Sequence, residues 1–119
     1  MPSEPGIARV DIDPNGKGCR LVWENDAVSV ADEAMKMSTK TGLVYVVSRK
    51  YDAGALGYPA PGLDVYYFTA IDFRTGEVIW ERQLGTGFNF DGFQVDLIGP
   101  TGTAYIPQYG GLIAVRDSR

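Results

Sequence analysis

The sequence predicts an all-β protein made of short antiparallel strands, and three observations support that fold class. Short runs rich in Val, Ile, Tyr, Phe and Trp are separated at short intervals by Gly, Pro, Asn and Asp, which is the pattern of strands joined by turns. Helical signals are nearly missing, because the one candidate segment, residues 30–37, is too short to be stable alone. The strand pattern also repeats along the chain, which predicts a fold built from one recurring unit.

The first repeated unit is a hairpin whose second strand ends in Trp-Glu. In residues 7–24, Ile-Ala-Arg-Val-Asp-Ile leads through Pro-Asn-Gly into Leu-Val-Trp-Glu. In residues 68–81, Phe-Thr-Ala-Ile-Asp-Phe leads through Arg-Thr-Gly into Val-Ile-Trp-Glu. A second unit, Thr-Gly-Leu-Val-Tyr-Val at 41–46, matches Thr-Gly-Thr-Ala-Tyr-Ile at 101–106. In chain order, these units form a cycle of four strands, which we call A, B, C and D.

The cycle predicts about nine strands. Strands C and D occupy residues 7–24, a full set A to D occupies 34–84, and strands A, B and C occupy 93–117. Trp23 and Trp80 take the same place near the end of strand D, and a side chain of that size can fill the space between neighbouring sheets. We therefore expect both to be buried there, and replacing Trp80 by Ala to cost roughly 3–5 kcal/mol.

Residues 70–80, Ala-Ile-Asp-Phe-Arg-Thr-Gly-Glu-Val-Ile-Trp, resemble the repeat of β-propellers of the pyrroloquinoline-quinone (PQQ) type, in which Ala-Leu-Asp and Thr-Gly precede a Trp. Segments 99–105 and 110–115 fit the A-B and C portions of such a blade. The resemblance covers most of the chain from residue 7 onward and is to the C-terminal blades of larger bacterial proteins. It implies antiparallel four-stranded blades of a β-propeller, with about two blades in residues 1–119.

Propellers usually have four to eight blades, so this resemblance implies that further blades come from elsewhere. The terminal strands of a partial ring expose unpaired backbone groups, which invite pairing with another chain. We therefore expect self-association through open blade edges, or contact with the missing blades of a longer parent.

Composition excludes several classes of function. The chain has no His, which removes the commonest general base and the Ser-His and Cys-His pairs. Its single cysteine, Cys19, permits neither an internal disulfide nor a zinc-thiolate site, and its strand position predicts a half-buried thiol. The 11 basic residues are outnumbered by 15 acidic ones, which argues against nucleic acid as a partner.

Membrane and export signals are also missing from the sequence given. No apolar run approaches the roughly 20 residues that a membrane-spanning helix needs, so no membrane insertion is expected. Residues 1–6 contain neither a basic nor an apolar segment of the kind found in secretory signals. A longer parent could still be exported, which leaves the compartment open.

Enzymes of the family that the chain resembles bind PQQ above a tryptophan floor, some with an adjacent disulfide and a calcium ion. The single Cys19 excludes that disulfide, and Trp23 and Trp80 take the structural position of the repeat instead. We therefore expect a non-catalytic propeller segment without a cofactor, which acts as a binding or structural module. A fragment of a quinoprotein dehydrogenase or of another propeller enzyme is the alternative.

The candidate ligand site lies at one end of the sheets. Turns alternate between the two ends of an antiparallel meander, and the longer connections, 25–33, 50–64, 85–93 and 107–111, share one end. Long loops on a rigid scaffold are a frequent place for binding. The candidate contact residues at that end are Tyr58, Asp64, Asn89, Asp91, Gln108 and Tyr109.

At the other end, residues 11–16, Asp-Ile-Asp-Pro-Asn-Gly, match the opening of a calcium loop. Asp11, Asp13 and Asn15 would be the first ligands of such a site. The twelfth position, however, holds Val22 rather than the Glu that would close the loop. The same residue types are favoured in any hairpin turn, and we favour that interpretation.

Overall fold

The computed structural model describes residues 5–30, 35–52, 63–86, 97–108 and 111–116. Within those ranges the protein consists of β-strands and turns and contains no helix, which confirms that the fold is all-β. The strands are β1 (Ile7–Ile12), β2 (Cys19–Asn25), β3 (Lys36–Ser38), β4 (Leu43–Asp52), β5 (Leu63–Asp72), β6 (Val78–Thr86), β7 (Leu97–Ile98), β8 (Ala104–Gln108) and β9 (Gly111–Val115).

The strands form three open sheets in which neighbours along the chain are also neighbours in the sheet. We call them the N-terminal hairpin (β1-β2), the central sheet (β3-β4-β5-β6) and the C-terminal sheet (β7-β8-β9). All strand pairs are antiparallel. The division into two, four and three strands follows the predicted order C-D, A-B-C-D and A-B-C.

The turn between β5 and β6 shows why Asp and Gly recur at a fixed spacing. The Asp72 carboxylate accepts a hydrogen bond from the Arg74 backbone N–H at 2.7 Å, and the Asp72 carbonyl oxygen accepts one from the Gly76 N–H at 2.8 Å. Gly76 has a φ of +79°, a conformation that residues with a side chain rarely adopt. Asp72 and Gly76 together fix this tight C-D turn.

The central sheet lies between the other two sheets, because side chains alternate between its faces and both faces are apolar. One face packs against the N-terminal hairpin and the segment that follows it, through Val28, Val44, Val46 and Ile71, with Ile7 and Trp23 at the border of this cluster. The other face packs against the C-terminal sheet through Val47, Tyr66, Phe68, Ala104 and Ile106. The three sheets therefore stack face to face.

Two connections that were predicted as loops contain paired backbone. β4 continues to Asp52 and β5 begins at Leu63, so Tyr51 lies opposite Asp64 in the ladder. In the connection predicted at residues 25–33, Val30 forms an antiparallel bridge with Ser48. The prediction of loops at these ends is wrong because Gly, Pro, Asn and Asp mark where a turn lies, but not where the paired backbone beside it ends. A strand can continue into a segment that contains such residues where its backbone N–H and C=O groups gain hydrogen-bond partners.

Candidate functional site

The structure describes only part of the predicted ligand site. Asp64 lies in β5, and Gln108 ends β8 with its backbone opposite Gly111. Both flank a connection between a B strand and a C strand, but they lie at strand ends rather than in the predicted loops. Only the backbone of Gln108 is described, and four further candidates lie outside the described residues: Tyr58, Asn89, Asp91 and Tyr109.

A polar cluster lies on the face of the central sheet that packs against the N-terminal hairpin. The Lys50 ammonium contacts a Glu81 carboxylate oxygen at 2.6 Å and lies 4.7 Å from the centroid of the Tyr67 ring. Lys50 and Glu81 are 31 positions apart, on strands separated by β5. The sequence carries no local signal for this pair. Because Lys50 is largely exposed, the pair contributes little to stability.

The calcium-loop residues have partners within the protein. Both carboxylate oxygens of Asp11 accept hydrogen bonds from Arg9, at 2.7 and 2.8 Å. The Asp13 carboxylate accepts the backbone N–H of Asn15 at 2.8 Å, and the Gly16 N–H donates to the Asp13 carbonyl at 3.0 Å. These contacts are those of a hairpin turn. In the described part of the chain, no group of three or more His, Cys, Asp or Glu is placed to hold a metal ion.

Electrostatics at this turn are set by Arg9. The hydrogen bond from Arg9, assisted by the positive charges of Arg9 and Arg20, lowers the pKa of Asp11 below its ordinary value, although desolvation opposes the shift. An open cavity of about 400 Å³ runs beside the turn, from Asp11 to Arg20. Cys19 borders it and is exposed rather than half-buried, because it lies opposite Ile12 on the outward side of the hairpin.

The N-terminal hairpin is attached to the C-D turn of the central sheet by side chains that bind backbone oxygens. The Trp23 indole N–H donates to the Phe73 carbonyl at 2.8 Å, and Arg9 donates to the same oxygen at 3.2 Å. The Asn25 amide donates to the Gly76 carbonyl at 2.8 Å. The sequence predicted that Trp23 packs between sheets, but it gave no indication of these backbone acceptors.

Trp80 is not equivalent to Trp23 in its surroundings. Its ring packs against Tyr45 and Phe68 of its own sheet, with centroid separations of 6.1 and 5.6 Å. It remains 36% exposed, and no acceptor for its indole N–H occurs among the described residues. The prediction that Trp80 is buried between sheets is wrong, because the described chain places no C-D turn over it.

The two outward surfaces of the stack are apolar. Val10, Ile12 and Leu21 point away from the central sheet on one side, and Ile12 is 77% exposed. We call this surface the N-terminal outer face. On the other side, Leu97, Tyr105 and Leu112 form the C-terminal outer face, where Leu112 is 63% exposed. The described residues thus present an apolar sheet surface at each end of the stack.

Comparison with known proteins adds no family to this description: no protein-family model matches the chain, and no curated protein matches it significantly. Among the residues that the structure describes, none belongs to a helix long and apolar enough to span a membrane.

Proposed function

We propose that the chain is a non-catalytic β-propeller segment that acts as an assembly module. Its two outer faces bind further sheets of the same kind, supplied by second copies of the chain. The observation that carries this proposal is the exposure of large apolar side chains on both outer faces, including Ile12 and Leu112. Contiguous apolar surface of this kind usually marks an interface.

The internal architecture supports a propeller. Consecutive propeller blades are antiparallel sheets of four strands, and the central sheet has four strands joined in chain order. Its neighbours pack on its two faces through apolar clusters. The C-D turn held by Asp72 and Gly76 lies within the segment that resembles the PQQ-type repeat.

The stack has a direction, which favours a head-to-tail contact. In each internal interface, a sheet packs on the next one along the chain, from the N-terminal hairpin through the central sheet to the C-terminal sheet. A second copy continues this order if its N-terminal outer face packs on the C-terminal outer face of the first. Such a contact closes a ring when its rotation divides a full turn.

The oligomeric state tests the proposal. Light scattering on the 119-residue chain at micromolar concentration should show a mass that rises with concentration. Ile12→Lys and Leu112→Lys each place a charge on one outer face, where an apolar contact would strip it of water. Each variant should therefore be monomeric, with unchanged circular dichroism. Ile79→Lys, at an exposed position on β6 outside both outer faces, is the matched control and should assemble as the wild type does.

Mixing the two monomeric variants gives the sharper result. The Ile12→Lys chain keeps its C-terminal outer face and the Leu112→Lys chain keeps its N-terminal outer face, so an equimolar mixture should form a dimer that neither forms alone. A dimer of either variant by itself would instead indicate contact between like faces. The proposal would be overturned by such a dimer of one variant, or by a mixture that stays monomeric. It would also be overturned by a wild-type chain that is monomeric and whose melting does not depend on its concentration.

A further inference from the structure

β9 has a free edge in the part of the chain that the structure describes. The strands of type C are β1, β5 and β9, and the first two pair with strands of type D, which are β2 and β6. β9 pairs only with β8 among the described strands. Half of the backbone N–H and C=O groups of an edge strand point away from its sheet and can pair with an added strand.

β9 also presents apolar side chains on both of its faces. Ile113 and Val115 point inward and pack on the core shared with the central sheet, whereas Leu112 and Ala114 point outward. A strand beside β9 therefore gains cross-strand apolar contacts on both sides of the sheet. The strands of type D have this character, since β2 contains Leu-Val-Trp and β6 begins with Val-Ile-Trp.

Trp80 supplies a second, independent observation. Its repeat equivalent, Trp23, lies on Gly76, two residues before the neighbouring D strand begins at Val78, and donates its indole N–H to the Phe73 carbonyl of the same C-D turn. Trp80 is 36% exposed and has no such acceptor among the described residues. By the geometry of the first interface, a D strand added to β9 would start next to the Trp80 ring.

We propose that the free edge of β9 is a β-strand acceptor site for another polypeptide. Its ligand is an extended segment with the pattern of β2 and β6, in which successive apolar residues precede Trp-Glu. The inference rests on the proposed function, because it treats the three sheets as repeats of one unit. It adds an edge contact, made by backbone hydrogen bonds, to the face contacts described above.

A synthetic peptide tests the site. The probe is the segment 77–84, Glu-Val-Ile-Trp-Glu-Arg-Gln-Leu, with its Trp replaced by Phe so that tryptophan emission reports on the protein alone. The matched control is the same peptide with Pro in place of Ile79, which removes a backbone donor and disfavours a strand. Fluorescence anisotropy should show saturable binding of the labelled probe, at least 10-fold tighter than that of the control.

Two further readouts locate the bound peptide. Tryptophan emission of the wild-type chain should shift to shorter wavelength on binding, and Trp80→Phe should abolish the shift. Hydrogen exchange should slow at the β9 backbone, residues 111–115. Equal affinity for both peptides, an unshifted emission, or slowed exchange confined to β5 through replacement of β6 would overturn the inference.

The same titration separates this inference from the proposed function. Ile12→Lys lies on the N-terminal outer face and leaves β9 unaltered. The monomeric variant should bind the probe as tightly as the wild type does. If the outer-face variants dimerise on mixing but the probe does not bind, the acceptor site alone is wrong. If the probe binds to a chain that stays monomeric in every mixture, the assembly proposal alone is wrong.

Discussion

The ring of Trp23 lies directly on Gly76, so that a β-carbon added to Gly76 would lie 2.5 Å from Cε3 of Trp23. Trp23 lies in β2, whereas Gly76 lies in the turn between β5 and β6; Asn25, the last residue of β2, donates a side-chain hydrogen bond to the Gly76 carbonyl at 2.8 Å. A glycine is therefore required here for two reasons: the backbone φ is +79°, and the indole ring of Trp23 leaves no room for a β-carbon. The contact couples the geometry of a turn to the packing of a neighbouring sheet.

Gly76→Ala is expected to destabilise the protein by about 2–4 kcal/mol, because backbone strain and overpacking add. Gly102→Ala is the matched control: Gly102 has a similar φ of +82°, but nothing lies within 4 Å of the position of its added β-carbon. It should cost only the strain, about 1–2 kcal/mol. Urea denaturation of both variants gives the comparison. Equal losses would contradict close packing between Trp23 and Gly76.

The two tryptophans should differ in their contribution to stability. Trp23→Ala removes a contact between sheets and the indole donor to Phe73, and should cost about 3 kcal/mol. Trp80→Ala removes only contacts with Tyr45 and Phe68 from a ring that is 36% exposed, so we expect about 1–2 kcal/mol. Denaturant melts of both variants in the Ile12→Lys background avoid any contribution from assembly. A larger loss for Trp80→Ala would mean that Trp80 is covered.

The order of the strands could be predicted from the sequence because each hairpin has a recognisable local sequence pattern. The repeated Trp-Glu after a Gly-containing turn, at 7–24 and 68–81, marks hairpins that the structure contains as β1-β2 and β5-β6. Apolar alternation over a few residues is enough to identify strands. The matching segments at 41–46 and 101–106 likewise correspond to each other in the structure: each begins in a turn and ends within a strand, β4 and β8 respectively.

The same reasoning from local sequence patterns cannot predict contacts between residues that are far apart in the chain. The sequence cannot show that Lys50 meets Glu81, since their meeting depends on how β4, β5 and β6 are registered. It placed Tyr51 and Asp64 in a loop because they flank a stretch rich in Gly and Pro, although the ladder holds both in strands. The candidate ligand site rested on loop length alone, and loop length says nothing of which side chains converge.

Ser48 and Thr69 form a buried polar pair whose hydroxyl oxygens are 2.8 Å apart. Ser48 is 3% exposed and Thr69 is fully buried. Ser48→Ala or Thr69→Val alone should cost about 1–3 kcal/mol, because each leaves a buried hydroxyl without this partner. The double variant should be more stable than the sum of the two losses predicts. A double-mutant cycle by urea denaturation measures the coupling, and simple additivity would show that the hydroxyls do not stabilise each other.

The Arg9–Asp11 pair should make stability depend on pH in a defined direction. The pKa of Asp11 is lowered in the folded protein, chiefly by the hydrogen bond from Arg9. A carboxylate with a depressed pKa stabilises the fold above its unfolded pKa of about 3.9, and this contribution is lost as the pH falls through the lower folded pKa. Asp11→Asn should therefore be less stable than the wild type at pH 7.

This difference should shrink as the pH falls below about 4, because the Asp11 carboxylate takes up a proton there in the unfolded chain and only at lower pH in the folded protein. Urea denaturation at several pH values between 7 and 3 gives the curve for each protein. Asp26→Asn is the matched control, since Asp26 is exposed and forms no ion pair among the described residues. At pH 7 it should be as stable as the wild type, as expected for an exposed surface substitution. A loss for Asp11→Asn that persists unchanged at pH 3 would mean that the shape of the side chain, and not its charge, matters at this turn.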